Sequence, residues 1–139
     1  IETLEEIRVG NTPFLKVPNY DFVHSAPSGM RSIRNTGTVI VEGHLVFTSE
    51  SILSYVDFLV YIDVEEHIAK ERRFLRDVVE RGYDAQDCET YYSKYVSPQI
   101  ENIKKLKMTA NYIVKKDTTF DGLYNHALNI CATLKDSCV

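Results

Sequence analysis

The sequence predicts an α/β fold with a mainly parallel sheet, and three observations carry that expectation. Thr38–Glu42 (TVIVE) and Phe58–Val64 (FLVYIDV) are apolar, β-branched or aromatic runs without alternation, the pattern of strands buried on both faces. Asn111–Val114 (NYIV) is a third, shorter run. Helical segments over 63–81, 84–96 and 120–134 are interleaved with these runs, and strand–helix alternation is how parallel sheets become covered.

The elements follow in order. Ile1, Leu4, Ile7 and Val9 are spaced as the end of an amphipathic helix, which Gly10-Asn11 would terminate. Phe14–Val17 and Tyr20–Val23 are short β-like runs separated by Pro18-Asn19, a hairpin-like arrangement. Ser25–Asn35, with Pro27 and Gly29, reads as a loop or weak edge strand. Ser49–Ser54 is a short helix. Asp84 is placed to cap the helix that continues to Val96 and restarts at Ser97-Pro98, where proline suits a first turn.

Asp63–Asp84 is the most informative stretch. A helix advances about 100° per residue. With Ile68 at the origin, Arg72, Arg76 and Arg73 fall at about 40°, 80° and 140°. Phe74, Leu75, Val78 and Val79 fall on the other side, as the expected core-facing stripe. Asp63 suits the N-cap, and Gly82 suits the position after Arg81. The basic face is either a functional surface or a solvated one, ion-paired locally with Glu71, Asp77 and Glu80.

The chain has 139 residues, 44% hydrophobic and 26% charged, which suits a single globular domain over 1–139 with one core. A net charge of −4 argues against general nucleic-acid binding, which needs a basic field. No apolar run approaches the ~20 residues of a membrane span, and no signal-peptide pattern opens the chain. A cytoplasmic location is therefore the default expectation. Cys88, Cys131 and Cys138 show no CxxC spacing and cannot all pair, so free thiols are expected. The first methionine is Met30, so the chain is expected to be a piece of a longer or processed product.

Two groups of residues are candidates for chemistry. Glu42, at the carboxyl end of an apolar strand, stands where open α/β sheets bind ligands; it either serves a metal-bound water or simply meets solvent. Tyr20, Asp21, Phe22 and His24 could stack on a base and read its edge, or the aromatics could pack the hairpin. No histidine spacing suggests a structural metal. No GxSxG, catalytic triad or GxxxxGK[ST] phosphate loop is present.

VPNYDFVHS, VIVEGHLVF, VDFLVYIDVEEHIAKERRFLRDVVERGYD and YVSP, in that order, resemble the second part of uridine–cytidine kinases. These belong to the phosphoribulokinase/uridine kinase family of P-loop kinases. RRFLRD and ERG after a strand, with YDF and VEG upstream, form the specific combination, and the likeness runs through nearly the whole chain. It implies a three-layer P-loop kinase-type sandwich. Here that sandwich would be incomplete, because the family's earlier portion carries the phosphate loop, the general-base aspartate and the central strand. A substrate hairpin at about 12–35 and a lid at about 72–90 would belong to this chain.

The resemblance also implies roles. The activity would be ATP- and Mg2+-dependent phosphorylation of a nucleoside 5′-hydroxyl, in pyrimidine salvage. Tyr20 would pack beside the base, with Asp21, Phe22 and His24 near it. Glu42 would act near the phosphates and, indirectly, on the magnesium. Arg73, Tyr83 and Tyr91 would lie on the substrate side, while Arg76 and Arg81, with Arg72, would grip ATP phosphates, Arg76 sharing the catalytic role with Glu42. Three departures fall on the substrate side: Ser25 replaces a base-reading histidine, Tyr83 an arginine and Tyr91 a glutamine. An altered acceptor preference with ATP affinity kept is therefore expected. Expected partners are a nucleoside, the missing N-terminal segment and, as is common in the family, further copies of the chain. The 139 residues alone are expected to be inactive and unstable. Competing readings are a kinase for another hydroxylated small molecule and a non-catalytic nucleotide-binding domain.

Overall fold

Local chemistry sets the ends of the first elements. In the computed structural model, which describes residues 2–10, 12–21, 24, 26–36, 38–43, 46–115 and 119–136, helix α1 spans Glu2–Val9. Gly10 closes it, donating its N–H to the carbonyls of Glu6 (3.2 Å) and Ile7 (3.1 Å). The chain divides into two compact units, Ile1–Val56 and Asp57–Val139.

In the first unit, strands β1 (Phe14–Asp21) and β2 (Ala26–Arg34) form an antiparallel pair, from Phe14 opposite Arg34 to Asp21 opposite Ala26. Leu15, opposite Ile33, is fully buried. This corrects the expected hairpin: β1 runs straight through Pro18-Asn19, and the reversal comes after Asp21. Proline removes one N–H donor, but both strands of a two-stranded sheet are edges, where that loss is tolerated. The pairing shifts register between Pro18 and Tyr20, which accommodates it. Helix α1 is tied to the end of this unit by Tyr55 Oη, which donates to Glu5 Oε1 at 3.0 Å. The Arg8 guanidinium lies 5.7 Å from the Tyr55 ring centre. A short helix α2, Glu50–Leu53, precedes that contact.

Thr38–Glu42 is not a strand, contrary to expectation. Ile40 is 90% exposed, and Val39 and Val41 are also exposed. Strand propensity is realised only where a neighbour completes the hydrogen-bond ladder, and among the described residues no strand pairs with this run.

In the second unit, β3 (Val60–Ile62) pairs in parallel with β4 (Tyr112–Val114). Asn111 fastens the start of this ladder: its N–H donates to the Leu59 carbonyl at 2.9 Å, and its Oδ1 accepts from Leu59 N at 2.7 Å. Leu59, Val96 and Val114 form the buried apolar centre. The fold class is thus α/β, with a parallel pair where one was expected, but the described residues form two small sheets rather than a three-layer sandwich.

Helix α3 spans Glu66–Leu75 and continues as a π turn over Arg76–Glu80. Its N-cap is Glu65, not Asp63 as expected; the Asp63 carboxylate instead receives the Lys107 ammonium at 2.7 Å. Gly82 (φ +70°) follows Arg81 and turns the chain in the left-handed region, as the sequence suggests. Asp84 caps α4 (Ala85–Tyr91) as expected, accepting from Gln86 N (2.8 Å) and Asp87 N (3.1 Å). A second π turn (Tyr92–Val96) and a tight turn at Ser97–Gln99 lead into α5, Ile100–Lys105. Helix α6, Phe120–Asp136, closes the chain. Among the described residues, no helix is long and apolar enough to cross a membrane.

The expected core-facing stripe of α3 is also corrected. Leu75 is 61% and Val79 70% exposed, and Phe74 is partly exposed. An amphipathic face stays buried only where another surface covers it, and in this unit the apolar centre gathers around β3 and β4 instead.

Candidate functional site: an arginine cluster around Asp77

The segment R-F-L-R-D-V-V-E-R, residues 73–81, places arginines four residues before, one before and four after Asp77. Side chains four apart on a helix are neighbours. The structure uses this spacing. Asp77 is 7% exposed, the buried charged residue of the described chain. Its Oδ1 accepts from Arg81 Nη1 at 3.0 Å and from Arg76 Nε at 3.1 Å, with Arg76 Nη2 also at 3.1 Å. Its Oδ2 lies 3.5 Å from Arg73 Nε. Three guanidinium charges against one carboxylate leave a surplus of two positive charges.

The helix ends in a π turn at this cluster. Arg81 N–H bonds the Arg76 carbonyl at 3.2 Å, five residues back. Arg76 precedes Asp77 by one residue and Arg81 follows it by four, so both reach the one carboxylate at the helix end. Such turns occur frequently at functional sites. The backbone then folds back, and Tyr83 N–H donates to the Asp77 carbonyl at 3.0 Å.

An aromatic pair adjoins the cluster. The Arg73 guanidinium lies 5.7 Å from the Tyr91 ring centre, within cation–π range. Tyr91 in turn packs against Tyr95 with centroids 5.0 Å apart. Cys88, on the same helix as Tyr91, has its thiol pKa raised, first by burial and then by the carboxylates of Asp77, Asp84 and Asp87. It is held as the neutral thiol, a poor nucleophile.

Of the residues singled out in the sequence, the structure brings together Arg73, Arg76 and Arg81, with Tyr91 against Arg73 and Tyr83 attached through its backbone. Arg72 is exposed and lies outside the Asp77 contacts. In the first unit, Tyr20 sits opposite Pro27 and is half exposed. The Asp21 carboxylate meets His24 twice, at Nδ1 (2.7 Å) and at the backbone N–H (3.1 Å), so this acid and histidine hold the end of their own turn. Phe22 lies outside the described residues. Glu42 is exposed in an irregular segment rather than at a strand end. Asp77 is the residue sequence reasoning passed over as a surface ion-pair partner; its i±4 arginines were the signal.

The donor set suits a polyphosphate. Forked guanidinium groups match phosphate oxygens and stay charged at any physiological pH, and Arg76 and Arg81 remain partly exposed. It does not make a metal site, since no group of three or more His, Cys, Asp or Glu able to hold an ion occurs among the described residues. A shallow hollow of about 500 Å3 is lined by Glu66, His67, Lys70, Tyr92, Ser93 and Ser97 and contains none of the expected site residues.

Residues 2–121 match the family model described as phosphoribulokinase/uridine kinase family. The chain is 30% identical over 133 residues to the uridine kinase of Brevibacillus brevis, with 94% of this chain and 59% of that protein aligned. It is 31% identical over 113 residues to the uridine kinase of Proteus mirabilis, covering 80% of this chain and 52% of that one. A mouse uridine-cytidine kinase-like 1 is 30% identical over 102 residues, 73% of this chain but 18% of that protein. The chain therefore spans 59% or less of the length of these relatives.

Proposed function

The chain belongs to the phosphoribulokinase/uridine kinase family, and from that premise we propose that the complete protein transfers the γ-phosphoryl group of ATP to a nucleoside 5′-hydroxyl. This chain would supply the lid and the nucleoside-side hairpin. The observation that carries the reading is the arginine cluster around Asp77, because phosphoryl transfer is catalysed mainly by placing positive charge where the transferred group carries negative charge.

In this reaction a bond forms between the acceptor oxygen and the γ-phosphorus, the bridging oxygen leaves with ADP, and the hydroxyl proton passes to a base. ATP supplies the phosphoryl group. Arg76 and Arg81 would bind phosphate oxygens through N–H groups turned away from Asp77. Arg73, between Asp77 and Tyr91, would face the acceptor side. Glu42 offers a single carboxylate, suited to a water on a magnesium ion that arrives with the nucleotide. The three-layer sandwich is the architecture proposed for the complete protein. A phosphate loop, absent from these 139 residues, would come from elsewhere in it, and the 139 residues alone would not turn over.

A second reading keeps the reaction and changes the acceptor. Tyr83, Tyr91 and Ser25 stand where the family carries base-reading groups, and Tyr91 is engaged with Arg73, which supports a different hydroxylated acceptor. Both readings are tested by assaying ADP release from the complete protein with ATP, Mg2+ and a panel of hydroxylated acceptors. Turnover on uridine or cytidine supports the first. Turnover confined to a ribosyl or sugar phosphate acceptor selects the second. Release with none rejects both.

A further inference from the structure

Asp77 makes an arrangement that stability alone does not require. A buried carboxylate with charged partners has a large desolvation cost, and well-packed apolar residues often replace such groups without loss of stability. Arg73, Arg76 and Arg81 would moreover repel one another as neighbours without an anion between them. The carboxylate meets Arg76 Nε and Nη2, Arg81 Nη1 and Arg73 Nε. The outer N–H groups of Arg76 and Arg81 are not used in those contacts.

We propose that Asp77 is a positioning residue that assembles Arg73, Arg76 and Arg81 into a preformed grip for a polyphosphate. It contributes no contact to the ligand itself. Its carboxylate fixes the direction of the guanidinium forks before an anion arrives, so little reorganisation remains to be made on binding. The inference rests on the reading of this cluster as the ATP-phosphate grip.

The sign of one change separates positioning from charge. Asp77→Asn removes a negative charge, so by Coulomb attraction alone an anion should bind more tightly. Positioning predicts the reverse, because the amide turns an N–H2 donor toward donors and the forks spread. We expect the complete protein carrying Asp77→Asn to bind inorganic tripolyphosphate about tenfold more weakly by calorimetry, at a temperature where both proteins are folded. In an Arg76→Ala background the same change should have an effect of about threefold or less, since the two residues act as a unit.

Unchanged or tighter binding by Asp77→Asn would overturn the proposal. So would an undiminished effect in the Arg76→Ala background, or a wild-type protein that does not bind tripolyphosphate. Asp77→Leu guards against a folding defect: if neither variant folds, Asp77 is a structural residue and the proposal falls. The kinase reading fails by a different result. Wild-type protein would bind tripolyphosphate yet transfer nothing from ATP to any acceptor, and the Asp77 comparison would still stand.

Discussion

Asp77 and Glu42 are two acids in opposite circumstances. Asp77 is buried, with three arginine partners from its own helix and the turn after it. Glu42 ends an apolar run that is exposed and unpaired among the described residues. The difference lies in the range of the interactions each needs. The arginine cluster is completed by neighbours one and four residues away, so it forms wherever this helix forms. The 38–42 run needs a strand brought from a distance before its β-branched side chains can be buried. One part of the candidate site is assembled by near neighbours, and the other is exposed among the described residues.

The largest expected effect breaks the locally assembled half. Arg76→Ala in the complete protein should lower turnover by on the order of 10³-fold. Thermal unfolding should barely move, because Arg76 is partly exposed. Near-normal turnover would return this face to a solvated surface. The other half is tested by Ile40→Asp. If the run pairs and is buried in the complete protein, unfolding in urea should show a loss of about 3 kcal/mol. If Ile40 stays as exposed as it is here, the loss should be within about 0.5 kcal/mol. Glu42→Gln is a smaller perturbation, expected to reduce turnover by about 10- to 100-fold as an outer partner of a metal, with stability unchanged.

The smallest effect concerns the contact between α3 and α4. Lys70 donates to Glu89 at 2.7 Å, and that hydrogen bond, partly opposed by desolvation, raises its pKa above the usual lysine value. A group whose pKa is raised on folding stabilises below its unfolded pKa and ceases to do so as pH rises through the folded one. Lys70→Met should therefore remove a small increment of stability at neutral pH, and wild type and variant should converge above the ordinary lysine pKa. A difference that persists once the pH has risen past the raised lysine pKa would show that the pair is not the cause.

What was legible in the sequence follows the same division. Asp84 and Gly82 could be assigned because a cap and a left-handed turn are settled within a few residues. Asp63 could not, because the Lys107 ammonium that takes its carboxylate lies 44 residues away. Pro18-Asn19 read as a turn because local preference favours one, while pairing with 26–34 carried the strand through. The arginines were visible, and a regular helical wheel already sets Arg73, Asp77 and Arg81 within about 80° of one another, but a wheel does not show that Asp77 is buried. Phe74, Leu75 and Val79 looked like core because their periodicity is sound, yet periodicity names a face without naming what covers it.

The π turn at Arg76–Glu80 has one more consequence. It is a single wide turn that ends the helix, with Arg81 as its cap and Gly82 just beyond. Deleting Val78 or Val79 would turn the Arg81 to Arg76 bond into an ordinary four-residue helical one and leave Arg81 within reach of Asp77, so the change of about 100° would fall on Tyr83 and the chain beyond. Val79, mostly exposed, can be exchanged freely. The length of the turn is different: an insertion or deletion there would redirect the chain that leaves the helix toward Asp84, even where the arginines kept their carboxylate.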